Sequence, residues 1–225
     1  MLRYPLIHKI AALALVASLT GCAATPAATP VPGAAEVNYE GLATIRSRAF
    51  SVAQVRPGTD FGAYSRVKLG TPQLAYRTPD RAAGQFPLNE EQKKRFLSNL
   101  VSAFDEEFAG FRALELVDEA GPDTLALDIR VEDIVVTVAS SAVGRTGRAA
   151  ALLEASADAV MTVELRDSQS NEILARGVDT GAASGGALRT PEGELRTRFE
   201  SSGKVVETWA AKARAGLENL LREGR

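Results

Sequence analysis

Few side chains in this sequence have catalytic potential. Ser201 and Lys204 stand at Ser-x-x-Lys spacing, and Asp128, Glu132, Asp133 and Glu164 fall on strand-like runs. On a helix, that spacing sets an amine beside a hydroxyl, where it could activate the oxygen for acyl transfer. The companion motifs Ser-Asp-Asn and Lys-Thr-Gly are absent, so a solvated helix start is the plainer reading. The carboxylates could flank a glycosidic bond, which needs two acids about 5 Å or about 6.5–9.5 Å apart. Strand alternation puts Asp128 and Glu132 on one outward face, opposite Leu127, Ile129 and Val131. A charged, solvated sheet face explains the same pattern without catalysis.

A third cluster is Gly144-Arg145-Thr146-Gly147-Arg148, ahead of an expected short helical piece, Ala149 to Ala155. Arg145 and Arg148, with loop amides, could hold a phosphate or a lipid headgroup. The Gly-Lys-Ser/Thr ending of a nucleotide-binding loop is missing, and a surface loop is the plainer reading.

The one cysteine is placed for different chemistry. Cys22 closes Leu19-Thr20-Gly21-Cys22, directly behind the unbroken apolar run Ile10 to Leu19. Arg3 and Lys9 precede that run, completing the layout of an export signal. The apolar stretch would cover about 15 Å as a helix, half of a ~30 Å bilayer core, too short to span one. The motif has the form of a bacterial lipobox: cleavage before Cys22 and a lipid on its sulfur. Ala23 is not the aspartate that retains such proteins at the inner membrane, so the expected address is the periplasmic face of the outer membrane. Acyl chains contribute about 0.8 kcal/mol per buried CH₂, enough in combination to anchor a domain without a spanning helix.

That reading divides the chain into a signal peptide (1–21), a lipidated tether (22–40) and one domain (41–225). Pro26, Pro30 and Pro32 among alanines and threonines give the tether no face to bury, only semi-extended reach. About 200 residues remain, enough for one hydrophobic core. The single histidine, His8, leaves with the signal, and the lipidated Cys22 is no free thiol. Zinc and copper chemistry built on His or Cys is thereby excluded, and no metal or cofactor is expected. The 26 basic and 28 acidic residues lose Arg3 and Lys9 on cleavage, so the mature balance is acidic and no nucleic-acid partner is expected.

Along the domain, residues 42–77 read as short strands broken by turns such as Pro57-Gly58 and Gly70-Thr71-Pro72. Asn89 and Gln92 form a capping box ahead of a helix with Phe96, Leu100, Phe104 and Phe108 on one stripe, closed by Gly110. Thr124 to Val138 alternates as a long strand. Ala159 to Arg166 and Glu172 to Val178 make a hairpin through Asp167-Ser168-Gln169-Ser170-Asn171, fraying at Gly181 to Gly186. Thr190-Pro191-Glu192 reads as a helix start, and Val206, Trp209, Ala210, Ala213, Leu217 and Leu220 form the final apolar stripe. The expected class is α+β: an antiparallel-rich sheet with helices packed on it.

Tyr64-Ser65-Arg66-Val67, Ala103-Phe104-Asp105-Glu106-Glu107-Phe108, the run Asp167 to Ala175 and Trp209-Ala210, together with the lipobox, carry a family resemblance. The chain resembles the bacterial lipoproteins grouped as domain of unknown function 3313. Where those proteins often have Thr-Gly in the hairpin turn, this chain has Ser170-Asn171, and Asn tolerates the left-handed conformation. The resemblance implies a location and a shape but no activity. The expected function is a non-enzymatic, lipid-anchored module binding an envelope protein or glycan, with a carboxylate-based glycan hydrolase as the alternative.

Overall fold

Alternation along Thr124–Val138 (β7) sets the architecture. Leu125, Leu127, Ile129 and Val131 are buried on one side, while Asp128 and Arg130 face solvent on the other. The structure, a computed structural model, describes residues 36–80, 82–138, 151–189, 195–198 and 202–223. These belong to the compact unit Ala35–Arg225. They form an α+β fold, a mixed sheet with two helices packed on it.

The sheet has ten strands. Its centre is three long antiparallel strands, β7, Ala151–Asp167 (β8) and Ile173–Arg189 (β9). Short strands cover their flanks. Val52–Val55 (β2) pairs with β9, and Ala43–Ile45 (β1) with β2. Arg66–Leu69 (β3) and Gln73–Tyr76 (β4) run parallel to β7, and Gln85–Phe86 (β5) antiparallel to it. Glu115–Leu116 (β6) lies beyond β3, and Leu195–Arg198 (β10) extends β9.

A bulge corrects the phase of β7. Glu132 pairs with Val160 but Val135 with Asp158, so Asp133 and Ile134 together oppose the single residue Ala159. Asp133 takes φ 55°, which Asp tolerates, and the extra residue hands the next inward place to Ile134. Without the bulge a carboxylate would point into the core.

Both helices cover the inner face. Glu90–Ala109 (α1) starts at the expected capping box: Asn89 Oδ1 accepts from the Gln92 amide at 2.9 Å, and Gln92 Oε1 from the Asn89 amide at 2.8 Å. Such a cap contributes about 1 kcal/mol. Ser202–Glu223 (α2) buries Val206, Trp209, Ala210, Ala213, Leu217 and Leu221. It lies against β9, whose inward positions are small: Ala175, Gly177, Gly181 and Ala183, interrupted only by Asp179. A Cβ built at Gly181 would stand 2.4 Å from Trp209 Cζ2, and one at Gly177 would stand 2.7 Å from Phe50 Cδ2. A Cβ at Gly216 on α2 would meet the same Phe50 ring at 2.8 Å. Phe50 is therefore a wedge between helix and sheet, admitted by two missing side chains.

Asp179 is buried at 5% exposure, and its carboxylate accepts from Lys212 Nζ on α2 at 2.5 Å and from Ser51 Oγ at 2.7 Å. One acid thus joins β9, α2 and the loop before β2.

Three expectations need correction. Ala151 to Ala155, expected to be helical, open β8; residues 149 and 150 lie outside the described residues. Gly181 to Gly186, expected to fray, continue β9 to Arg189. The C-terminal helix begins at Ser202, after strand β10, rather than at residue 190. In the first two cases Ala, Gly and Ser carry little strand preference of their own, and the pairing neighbour supplies it, as in Ala155 against Gly185; in the third, Leu195–Arg198 pairs with the end of β9. The left-handed turn at Asn171 is present, with φ 60°.

The Phe50 wedge gives a double-mutant test. Gly177→Ala is expected to cost about 1–3 kcal/mol by overpacking. Combined with Phe50→Ala it should cost measurably less than the sum of the two single changes, a coupling above about 0.5 kcal/mol in urea titrations.

Candidate functional site

On the sheet face away from the helices, consecutive strands set charged residues side by side. Register places Asp128 of β7 opposite Glu164 of β8, and Glu164 opposite Arg176 of β9. Arg166, two residues along β8, reaches Asp128 with Nε at 3.2 Å and also binds Glu164. Arg176 Nε donates to Glu164 Oε1 at 2.7 Å, and its terminal nitrogens clasp the Glu40 carboxylate, one at 2.7 Å. The result is a chain of alternating charge: Glu40, Arg176, Glu164, Arg166, Asp128. Beside it, Arg130 bridges Glu132 at 3.4 Å and Gln73 at 3.3 Å. Together these residues floor a polar basin of about 620 Å³.

Hydrogen bonds from Arg176 hold the Glu40 carboxyl below its ordinary range, and Glu40 in turn raises Arg176 further. The β8–β9 turn positions Arg166, whose Nη1 donates to the Asn171 carbonyl at 2.9 Å. Asp167 organises that turn, accepting from the Ser170 amide at 2.7 Å, and those bonds lower its carboxyl. Tyr64 donates to the same carboxylate at 3.0 Å, and burial first, then Asp167, pushes its phenol up to about 12.

This geometry does not present a glycosidase pair. Glu164 has one oxygen held by Arg176 and the other by Arg166, which also binds one oxygen of Asp128, so the facing acids are bridged by a guanidinium and Glu164 has no oxygen left for a sugar. The pattern is that of a structural ion-pair network. The expected outward placing of Asp128 and Glu132 holds, and Asp133 sits apart at the bulge. Lys204 is exposed at the start of α2, while Ser201 lies outside the described residues, as do Cys22, Arg145 and Arg148.

Sequence reasoning missed Glu40 and Arg176. They are 136 residues apart, and only the pairing of β2 and β9 brings the segment 38–42 over the sheet. Arg176 carried a partial signal, alternating with the small residues Ala175 and Gly177; the buried Leu174, at a break in the strand register, shares its phase and masks it.

The lowered carboxyls define an acid limb of stability. A folded carboxylate held below its unfolded value (about 4.3 for Glu, about 3.9 for Asp) stabilises the fold above that value and stops doing so as pH falls through the folded value. The urea midpoint should therefore drop between about pH 4.5 and pH 3. Glu40→Gln should give a shallower drop over that window; an unchanged profile would count against the Glu40–Arg176 contact. Tyr64, held up, adds the opposite limb: its contribution is intact below about pH 10 and is lost toward pH 12.

No family model matches this chain, and no curated protein matches it. Among solved structures it is similar to a PelC dodecamer from Paraburkholderia phytofirmans, at 11% identity over 72% of this chain and 95% of that one, TM-score 0.31. It is also similar to a minor lipoprotein from Acinetobacter baumannii, at 12% identity over 69% and 94%, TM-score 0.35. A Xanthomonas campestris protein of the family domain of unknown function 330 aligns at 13% identity over 69% and 82%, TM-score 0.32. These superpositions are loose.

Proposed function

We propose that this chain is an exported lipoprotein of the bacterial envelope. It is cut before Cys22, lipidated there, and held by the segment 22–40 at the periplasmic face of the outer membrane. Its α+β domain acts as a binding module for an envelope protein or glycan and catalyses nothing. The observation that carries this reading is Leu19-Thr20-Gly21-Cys22 directly behind Ile10 to Leu19. The Pro/Ala/Thr-rich run beyond the cysteine supports it, because such a run has reach but nothing to bury. Ala23, in place of aspartate, favours the outer membrane. The resemblance of its short motifs to the lipoproteins grouped as domain of unknown function 3313 points the same way.

Binding is favoured over catalysis by the state of the acids. A glycosidase needs two acids with an oxygen free for substrate, and both oxygens of Glu164 and of Glu40 are held by guanidiniums, which leaves Asp128 without a free partner among them.

Growth with labelled palmitate tests the anchor. The wild-type chain should take up label and fractionate with outer membranes, and Cys22→Ser should take up none. Ala23→Asp should move labelled protein toward the inner membrane. An unlabelled wild-type protein in the cytoplasmic fraction would sink the reading.

A further inference from the structure

Between the C-terminal half of α2 and the inner face of the sheet lies a cavity of about 360 Å³. Its floor is apolar, from Leu127, Val163 and Leu165, with Ala175 at the side. Ala213, Gly216, Leu217 and Leu220 of α2 form the opposite wall. The loop 46–50, between β1 and β2, covers it, with Phe50 closing one end against Gly177 and Gly216.

A helix packed on a sheet ordinarily fills its interface with branched side chains, leaving few voids larger than a water molecule. Here Ala175 and Ala213 line the interface with little side-chain volume, while Phe50 takes the space left by Gly177 and Gly216, so the gap lies beside that ring. Its size falls within the range of small-ligand pockets. The pocket opens to solvent, and an apolar chain laid along its floor would remove Leu127, Val163 and Leu165 from water.

The mouth has a sign. Arg46 and Arg48 stand on the covering loop, exposed, and neither makes an ion pair among the described residues. Arg176 borders the cavity from β9, but its guanidinium lies on the other face of the sheet, held by Glu40 and Glu164. Among the described residues that line the cavity Glu223, at the end of α2, is the one acid, against the two guanidiniums of Arg46 and Arg48. An apolar pocket under a cationic rim fits a molecule with an apolar chain and an anionic head.

We infer that this cavity binds the chain of an anionic single-chain amphipath, with Arg46 and Arg48 on its carboxylate or phosphate head. The inference deepens the proposed binding role by naming a ligand class. It does not depend on the anchor.

The test is calorimetric titration of the full chain carrying Cys22→Ser with dodecanoate, dodecyl phosphate and neutral dodecyl maltoside, each below its micelle concentration. At least one anionic probe should bind saturably at one site, more tightly than the maltoside. Tighter binding of dodecanoate would indicate a free fatty acid, and tighter binding of the phosphate a phospholipid source. Arg46→Glu with Arg48→Glu should weaken the anionic probe tenfold or more and leave the maltoside unchanged. Leu220→Trp, which fills the cavity, should remove binding of all three. No saturable anionic binding, or unchanged binding in either variant, overturns the inference. If Leu220→Trp fails to fold, the exposed arginine pair still decides it. Because these titrations lack the lipid, their failure leaves the palmitate result standing, and the reverse also holds.

Discussion

The contact between Asp179 and Lys212 fixes how helix meets sheet in this protein. Removing a carboxylate from water is unfavourable unless a cation and hydrogen-bond donors replace its hydration. Asp179 is 5% exposed, and Lys212 and Ser51 provide those partners. Lys212 keeps 34% of its side chain in solvent, so the pair contributes little through raw attraction and more through position. Any slide of α2 along β9 would strand the acid. With that register held, Trp209 falls on Gly181, Phe50 falls between Gly177 and Gly216, and the space beneath Leu220 stays open. Ser51 carries the constraint into the covering loop, one residue beyond Phe50.

The central strand and the first helix were legible in the sequence because each carries its own signal. β7 alternates over its first eight residues, and α1 has a capping box whose two hydrogen bonds involve only neighbours. Asn171 announced its turn because few residues adopt φ 60° readily. The outer reaches of β8 and β9 gave no such signal. Ala, Ser and Gly there are compatible with loop, helix or strand, and the choice falls to the partner strand.

The charged face was half legible. Alternation put Asp128 and Glu132 outward, which is where they stand. It could not show that Arg166 and Arg176 would occupy the oxygens of Glu164, because that depends on the register of three strands and on Glu40 arriving from 136 residues away. A list of acids reads as potential catalysis, and the same acids with their arginines read as architecture. The cavity was illegible for a related reason: it is built from small residues on β9 and α2 whose significance lies in facing one another.

The segment 38–42 has a mechanical consequence. Gly41, at φ 80°, lets the chain turn tightly beside Arg56, which donates to the carbonyls of Glu40 at 2.8 Å and Ile173 at 2.9 Å. Glu40 itself is clasped by Arg176 on β9. Tension applied ahead of this point is therefore shared between the three-residue strand β1 and two guanidinium clamps, one at the first residue of β9 and one within that strand.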